Sequence, residues 1–318
     1  MVAGLLIVLG VVLLAALLIV AVGLVLCSVI LYRRLFLPLR PAYLDDFMFT
    51  PWEFQADYED VDLITADGVG FGAWFFRQAG SPQVIVISPG HKSRRQDLLG
   101  IAMALWRKGF NVLVFSYRGM AGSDPSAVTL GVREVQELAA AVAFIRKRVK
   151  KSRIGLLGYS MGASVSMLAA AGDPGIEALV LDSPFADARQ VVRENVRRRT
   201  WLPGGPIIGL SALWLRLRHR VRLKEASPIA VLKGLERRPL FFIHGGEDEV
   251  TDVEHSRRLH DAYRGPREIW VVPGAPHAGA YFADRGLYVE RVAGFFARNL
   301  GLKASTHLRL LEDDEEVS

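Results

Sequence analysis

The chain has 318 residues, 51% of them apolar, which is enough to bury the core of one large domain or two ordinary ones and excludes disorder as the default. Its 39 basic and 33 acidic residues leave +6, but the imbalance is local: ten Arg or Lys stand against the single acid Glu194 between Arg189 and Lys224, while the C-terminus closes on Glu312-Asp313-Asp314-Glu315-Glu316. Charge patches of this kind are no argument for nucleic acid, no zinc-ligand or aromatic-basic strand motif of a nucleic-acid module is present, and the one cysteine, Cys27, excludes an internal disulfide framework and a multi-cysteine metal site.

Residues 1–32 carry no charged side chain and are almost wholly Leu, Val, Ile, Ala and Gly. About 20 such residues cross a bilayer, so the stretch predicts a transmembrane anchor. A cleaved secretory signal needs a basic n-region and an apolar core of only about 7–15 residues. This run has no basic residue ahead of it and is longer, and Leu26 stands where a lipoprotein signal would place a small residue before Cys27. Arg33, Arg34 and Arg40 follow at once, so the positive-inside rule puts the rest of the chain in the cytoplasm. Residues 33–60 read as a juxtamembrane linker interrupted by Pro38, Pro41 and Pro51. Its aromatics, Tyr43, Phe47, Phe49, Trp52 and Phe54, are dispersed, a spacing that favours packing on the next domain over clustering at the bilayer interface.

A folded domain is expected over 61–301. The β-like runs 61–65 and 69–76 flank the turn signal Ala66-Asp67-Gly68, an opening antiparallel hairpin. Strands at 84–87, 112–115, 154–157, 178–181, 240–243 and 269–272 then alternate with helical stretches such as 98–108 and 131–149. This order predicts an α/β fold with a mostly parallel sheet covered by helices on both faces. Residues 185–235 are too long for a crossover and read as a cap insertion. Within it, 215–224 alternates basic and apolar residues, which suits a strand by pattern and a helix by its place in the chain. Residues 302–318 form an acidic tail.

Gly158-Tyr159-Ser160-Met161-Gly162 joins the apolar run 154–157 to Ala163-Ser164-Val165-Ser166. A buried strand, a glycine-flanked serine and a helix of small residues make a nucleophile elbow, whose strained turn lifts the hydroxyl into a cleft. A serine nucleophile needs a base within hydrogen-bond reach, and that base needs an acid to fix its tautomer. His244-Gly245-Gly246-Glu247-Asp248-Glu249 follows the strand at 240–243, and Pro273-Gly274-Ala275-Pro276-His277 follows that at 269–272. Asp248 and His277 therefore fall on loops at the C-terminal sheet edge that also carries Ser160.

With the order Ser, Asp, His and the Gly-x-Ser-x-Gly elbow, the chain resembles the α/β-hydrolases over about 60–300. Tyr117-Arg118-Gly119-Met120-Ala121-Gly122-Ser123 resembles that family's arginine-glycine turn, and Ala226-Ser227-Pro228-Ile229 the segment returning from the cap. Thr65-Ala66-Asp67-Gly68 is similar to the opening hairpin of the serine-aminopeptidase-like and acyl-thioesterase-like branches. The resemblance implies Ser160 as nucleophile, His277 as general base and then acid, and Asp248 as orienting carboxylate, with Glu247, Glu249 and Asp182 as rival acids. It also implies an oxyanion hole of two backbone N–H groups, one from Met161 and one from the loop Ser88-Pro89-Gly90-His91. Many relatives carry His-Gly where this chain has Pro89-Gly90, so the second donor falls on His91. His244 is expected to support the turn before Asp248, and His219, His255, His260 and His307 to be surface or cap residues.

The resulting expectation is a membrane-anchored serine hydrolase cleaving an ester or thioester of a small or lipid-like acyl substrate. Such a site requires no metal and no organic cofactor. A serine peptidase of the aminopeptidase type and a non-catalytic membrane scaffold are the alternatives. The basic cap is read as solvated, as lying on anionic lipid headgroups, or as attracting an acidic substrate, the tether favouring lipid over substrate. Oligomeric state is not legible.

Overall fold

In the computed structural model, which describes residues 2–38, 50–199, 204–235 and 237–302, one long helix leads into an eight-stranded sheet wrapped by helices. The strands are β1 (Glu59–Ile64), β2 (Gly70–Phe76), β3 (Gln83–Ser88), β4 (Asn111–Phe115), β5 (Arg153–Tyr159), β6 (Ile176–Asp182), β7 (Leu240–Gly245) and β8 (Arg267–Val272). They lie in the order β1-β2-β4-β3-β5-β6-β7-β8. Both pairings of β2, with β1 and with β4, are antiparallel, and all later pairings are parallel.

Continuous Val, Ile, Leu and Phe runs in β3, β4 and β7 are buried at every residue, as a strand covered on both faces must be. Their side chains feed two cores. On one face Leu113, Leu156 and Leu179 pack with Leu138 of α3 (Val135–Arg148) and Val165 of α4 (Met161–Gly172). On the other, Ile85, Val112 and Val180 meet Met103 of α2 (Leu99–Arg107) and Phe296 of α9 (Arg285–Leu300). The helix expected over 131–149 starts only at Val135, because the buried Glu134 carboxylate accepts N–H bonds from Thr129 (2.6 Å) and Gly131 (2.8 Å) and holds a turn there.

The cap consists of α5 (Ala188–Arg199), α6 (Gly204–His219) and a 3-10 turn, Leu223–Glu225, so the alternating stretch is helical in its first half. Place prevails over pattern here, because Ile207, Ile208, Ser211 and Leu215 line one face of α6 and bury it. α7 (Glu254–Ala262) and α8 (Ala280–Ala283) complete the helices.

The first helix, α1 (Val2–Phe36), continues four residues past 32, so Arg33, Arg34, Leu35 and Phe36 are helical and not linker. Its 35 residues span about 52 Å, well beyond the roughly 30 Å of a hydrocarbon core. Leu6 to Val22 are exposed, whereas Ser28, Tyr32 and Phe36, spaced i, i+4, i+8 on one face, are buried against the domain. Ser211 Oγ donates to Ser28 O (3.0 Å), and Tyr32 Oη pairs with His219 Nε2 (2.6 Å). A helix leaves its last carbonyls without partners. Here Val128 N–H donates to Phe36 O and His91 Nε2–H to Leu35 O, both at 2.9 Å, so the domain completes the end of α1.

Of the linker aromatics, Tyr43, Phe47 and Phe49 lie outside the described residues, and one expectation is corrected: Trp52 and Phe54 are exposed instead of packed. They stand on the single 3-10 turn Pro51–Phe54, whose one inward position is taken by Pro51.

Candidate active site

β5 ends at Tyr159 and α4 begins at Met161, leaving Ser160 alone in the turn with φ 52° and ψ −115°. A non-glycine residue held there costs about 1–3 kcal/mol, which the packing around it must offset. A Cβ on Gly158 would lie 2.5 Å from Ala163 Cα, and one on Gly162 would run into the carbonyl oxygens of Ser88 and Pro89. Both flanking glycines are therefore dictated by backbone approach, and Ser160 N–H donates to Asp182 O (2.7 Å) to pin the turn to β6.

The loops after β7 and β8 converge on this serine. Ser160 Oγ lies 2.9 Å from His277 Nε2, and His277 Nδ1 lies 2.6 Å from Asp248 Oδ2. The other Asp248 oxygen accepts N–H bonds from Val250 and Thr251, each 2.8 Å. The buried His244, bonded to Thr251 O (2.8 Å) and Ser256 Oγ (2.7 Å), also faces Asp248 Oδ2 at 3.2 Å. Burial works to raise the Asp248 pKa, but hydrogen bonds from His244 and His277 and the backbone donors outweigh it and hold the carboxyl well below its usual range.

The rival acids are placed elsewhere. Glu247 and Glu249 are exposed. Asp182 is fully buried but accepts from Tyr288 Oη (2.9 Å) and Ser183 Oγ (3.1 Å) instead of from His277. Burial raises its pKa to about 6. Ser183 also accepts Ala278 N–H (3.2 Å), so this network steadies the loop that carries His277. The sequence reading missed Tyr288 and Ser183, and only the apolar setting of Asp182 hinted that a buried carboxylate would need such partners.

Of the remaining histidines, His255 is a correction: it is buried on α7, accepting Ala186 N–H (3.1 Å) at Nδ1 and donating from Nε2 to Glu194 (2.8 Å), and so fastens the cap to the domain. His219 belongs to the cap contact with Tyr32, His260 lies beside Asp261, and His307 is outside the described residues. The Arg118 side chain is wholly buried between Glu137 (2.6 Å) and Asp67 (2.8 Å), away from Ser160, and its hydrogen bond holds Asp67 at a pKa of about 2. Among the described residues no cluster of three or more His, Cys, Asp or Glu is placed to hold a metal ion.

Met161 N opens α4 directly beside Ser160. The Pro89-Gly90-His91 loop crosses the elbow so closely that a Cβ on Gly90 would stand 3.6 Å from Ser160 Cβ. The His91 imidazole turns to α1, where burial lowers its pKa and its Nε2–H donates to Leu35 O. Two cavities meet at Ser160. One of about 240 Å3 is lined by Gly90, Tyr159, His277, Tyr281 and Phe282, and one of about 370 Å3 by Met161, Leu130, Phe185, Val192 and, from α1, Cys27 and Leu31.

The family model described as serine aminopeptidase, S33 matches residues 80–221. YqkD of Bacillus subtilis is 28% identical over 218 residues, 68% of this chain and 71% of that protein. The α/β-hydrolase domain-containing protein WAV2 of Arabidopsis thaliana is 25% identical over 281 residues, 85% of this chain and 88% of that one. In structure, the Pyrococcus furiosus esterase Pf2001 superposes with a TM-score of 0.69 at 24% identity, covering 84% of this chain and 98% of that chain. Sheet order, elbow and these likenesses agree: the chain has the α/β-hydrolase fold.

Proposed function

We propose that the chain is a membrane-anchored serine hydrolase that cleaves carboxylic esters or thioesters through an acyl-enzyme on Ser160. The observation that carries this reading is the unbroken relay Ser160–His277–Asp248, with spacings of 2.9 and 2.6 Å. His277 Nε2 takes the Ser160 proton as Oγ attacks the acyl carbon, and Asp248 steadies the imidazolium through Nδ1–H. The backbone N–H groups of Met161 and His91 receive the oxyanion, a contribution worth about 3–4 kcal/mol per donor. Collapse expels the alcohol or thiol, protonated by His277, and water repeats the sequence to release the acid and restore Ser160.

The apolar α1 is long enough to cross a bilayer, and Arg33 and Arg34 at its end support a cytoplasmic orientation of the hydrolase domain by the positive-inside rule. A cysteine introduced into the C-terminal tail of a Cys27→Ser protein should resist an impermeant thiol reagent on intact cells; modification would reverse the orientation.

The aminopeptidase reading is favoured by the family-model match. A substrate amine would need a carboxylate in the cleft, and Asp97, on the wall of the smaller cavity, is already held by Arg94 and Ser93. Ester hydrolysis fits this better. A fluorophosphonate probe should label the wild type and not Ser160→Ala, and p-nitrophenyl esters should be turned over faster than aminoacyl anilides. Labelling of Ser160→Ala would refute the nucleophile, and a preference for anilides would refute the substrate class.

A further inference from the structure

We infer that the larger cavity at Ser160 is the binding channel for one long acyl chain drawn from the bilayer, and that α1 forms its wall and thereby sets acyl specificity. This rests on Ser160 being the nucleophile. The cavity is about 370 Å3 and has Ser160 and Met161 in its lining together with Cys27, Ile30 and Leu31 of α1 and Ile207 of α6. Besides Ser160 its polar members are Arg34, Thr251, His91, whose ring is spent on Leu35 O (2.9 Å), and Asn195, whose amide is spent on Val191 O (2.9 Å) and Val250 O (2.6 Å). The rest of the lining is apolar, so the space selects a largely apolar ligand.

Size and position identify the ligand. An apolar cavity of about 150 Å3 admits the six carbons of benzene, so about 370 Å3 is room for roughly a dozen carbons of a straight chain. Val22 is the last residue of the uninterrupted exposed stretch of α1, and Cys27 and Leu31 follow it by about 8 and 13 Å along the helix axis. With Val22 at the edge of the core, the polar headgroup zone adds about 5–7 Å, so Cys27 falls near its outer limit and Leu31 about a turn beyond it. Arg34, on the same cavity wall, adds a cation suited to anionic headgroups. Beside α1, α6 leaves the apolar side chains of Leu213, Trp214 and Leu217 exposed. A chain leaving the bilayer along α1 enters this cavity and reaches Ser160, while the smaller cavity at His277 receives the leaving group.

The test uses the full chain in nanodiscs and reads the kcat/KM ratio for p-nitrophenyl laurate over p-nitrophenyl acetate, with fluorophosphonate labelling beside it. Leu31→Trp should lower the ratio by about tenfold or more, since even one methylene kept out of an apolar pocket costs roughly that factor. Val12→Trp, on the exposed stretch of the same helix, should leave it unchanged. Should Leu31→Trp fold poorly, dodecyl methanethiosulfonate on the folded wild type reaches Cys27 alone, because it is the one cysteine of the chain, and should produce the same fall, absent in Cys27→Ser. A normal ratio after both treatments, with labelling intact, overturns the channel. Absence of labelling in the wild type overturns the nucleophile instead. Monolauroylglycerol and an S-lauroyl cysteine peptide distinguish ester lipids from acylated peptides as the source of the chain; cleavage of either, lost in Leu31→Trp, supports the inference, and cleavage of neither overturns it.

Discussion

Replacing Asp248 with Asn keeps the shape of the carboxylate and changes only what one edge of it can accept. Val250 and Thr251 N–H groups, both 2.8 Å from Oδ1, force the Asn carbonyl oxygen to face them, because a flipped amide would set its NH2 against two donors. The NH2 then points at His277 Nδ1, where the wild type has an acceptor at 2.6 Å. His277 must turn acceptor at Nδ1 and carry its proton on Nε2, 2.9 Å from Ser160 Oγ, so it can no longer take the serine proton. A tautomer error of this kind in a serine triad lowers kcat by about 10⁴, or roughly 5 kcal/mol of transition-state stabilisation. The assay is hydrolysis of p-nitrophenyl butyrate by the full chain in detergent, with Asp182→Asn as the control, because Asp182 bonds Tyr288 and Ser183 and not His277. An Asp248→Asn rate within tenfold of wild type, with Asp182→Asn collapsing instead, would refute the assignment of the orienting acid.

Three further outcomes are expected. Gly162→Ala should lower the thermal midpoint and activity together, at a cost of about 1–3 kcal/mol or more, because its methyl has the Ser88 and Pro89 carbonyls in its way and the oxyanion loop must shift. Asp182 has its folded pKa raised to about 6 by burial, against about 4 unfolded, so its contribution is fully present below pH 4 and is lost as pH rises through 6. Asp182→Asn should flatten that fall, about 3 kcal/mol, in denaturant midpoints compared at pH 4 and pH 7. Deleting residues 2–22 should leave the midpoint unchanged in detergent, whereas deleting 2–37 removes the buried Tyr32 and Phe36 and should cost about 3–6 kcal/mol; equal midpoints for the two deletions would show that the end of α1 is not part of the fold.

Sheet and elbow are legible because their signals are local. A strand buried on both faces is a run of β-branched and aliphatic residues, and a turn in which neighbouring backbone leaves no room for a Cβ has to be glycine, as at Gly158 and Gly162. Asp248 and His277 can be placed because each follows a strand whose edge is known, and their distance from Ser160 then follows from parallel pairing. Contacts between elements far apart in sequence are hidden. Nothing in the residues around His255 announces Glu194, 61 positions away, and nothing near Tyr32 announces His219, 187 positions on. Periodicity also misleads for α1: an almost uniformly apolar helix shows no face, so the buried stripe Ser28, Tyr32, Phe36 cannot be told from the exposed sides of the helix.

That hidden stripe gives α1 a second role. A tether needs only to be apolar and long, and the exposed Leu6 to Val22 satisfy this. The last turn does something a tether does not require: its Leu35 carbonyl takes the Nε2 proton of His91, the residue whose backbone borders Ser160, and its Phe36 carbonyl takes the N–H of Val128, close to Leu130 in the wall of the larger cavity. Carbonyls at a helix C-terminus must find donors or water, and in this fold the donors come from two loops of the candidate site. The loop that faces the elbow and the wall of the larger cavity are thus both bonded to the end of α1, which makes that end a structural member of the candidate site.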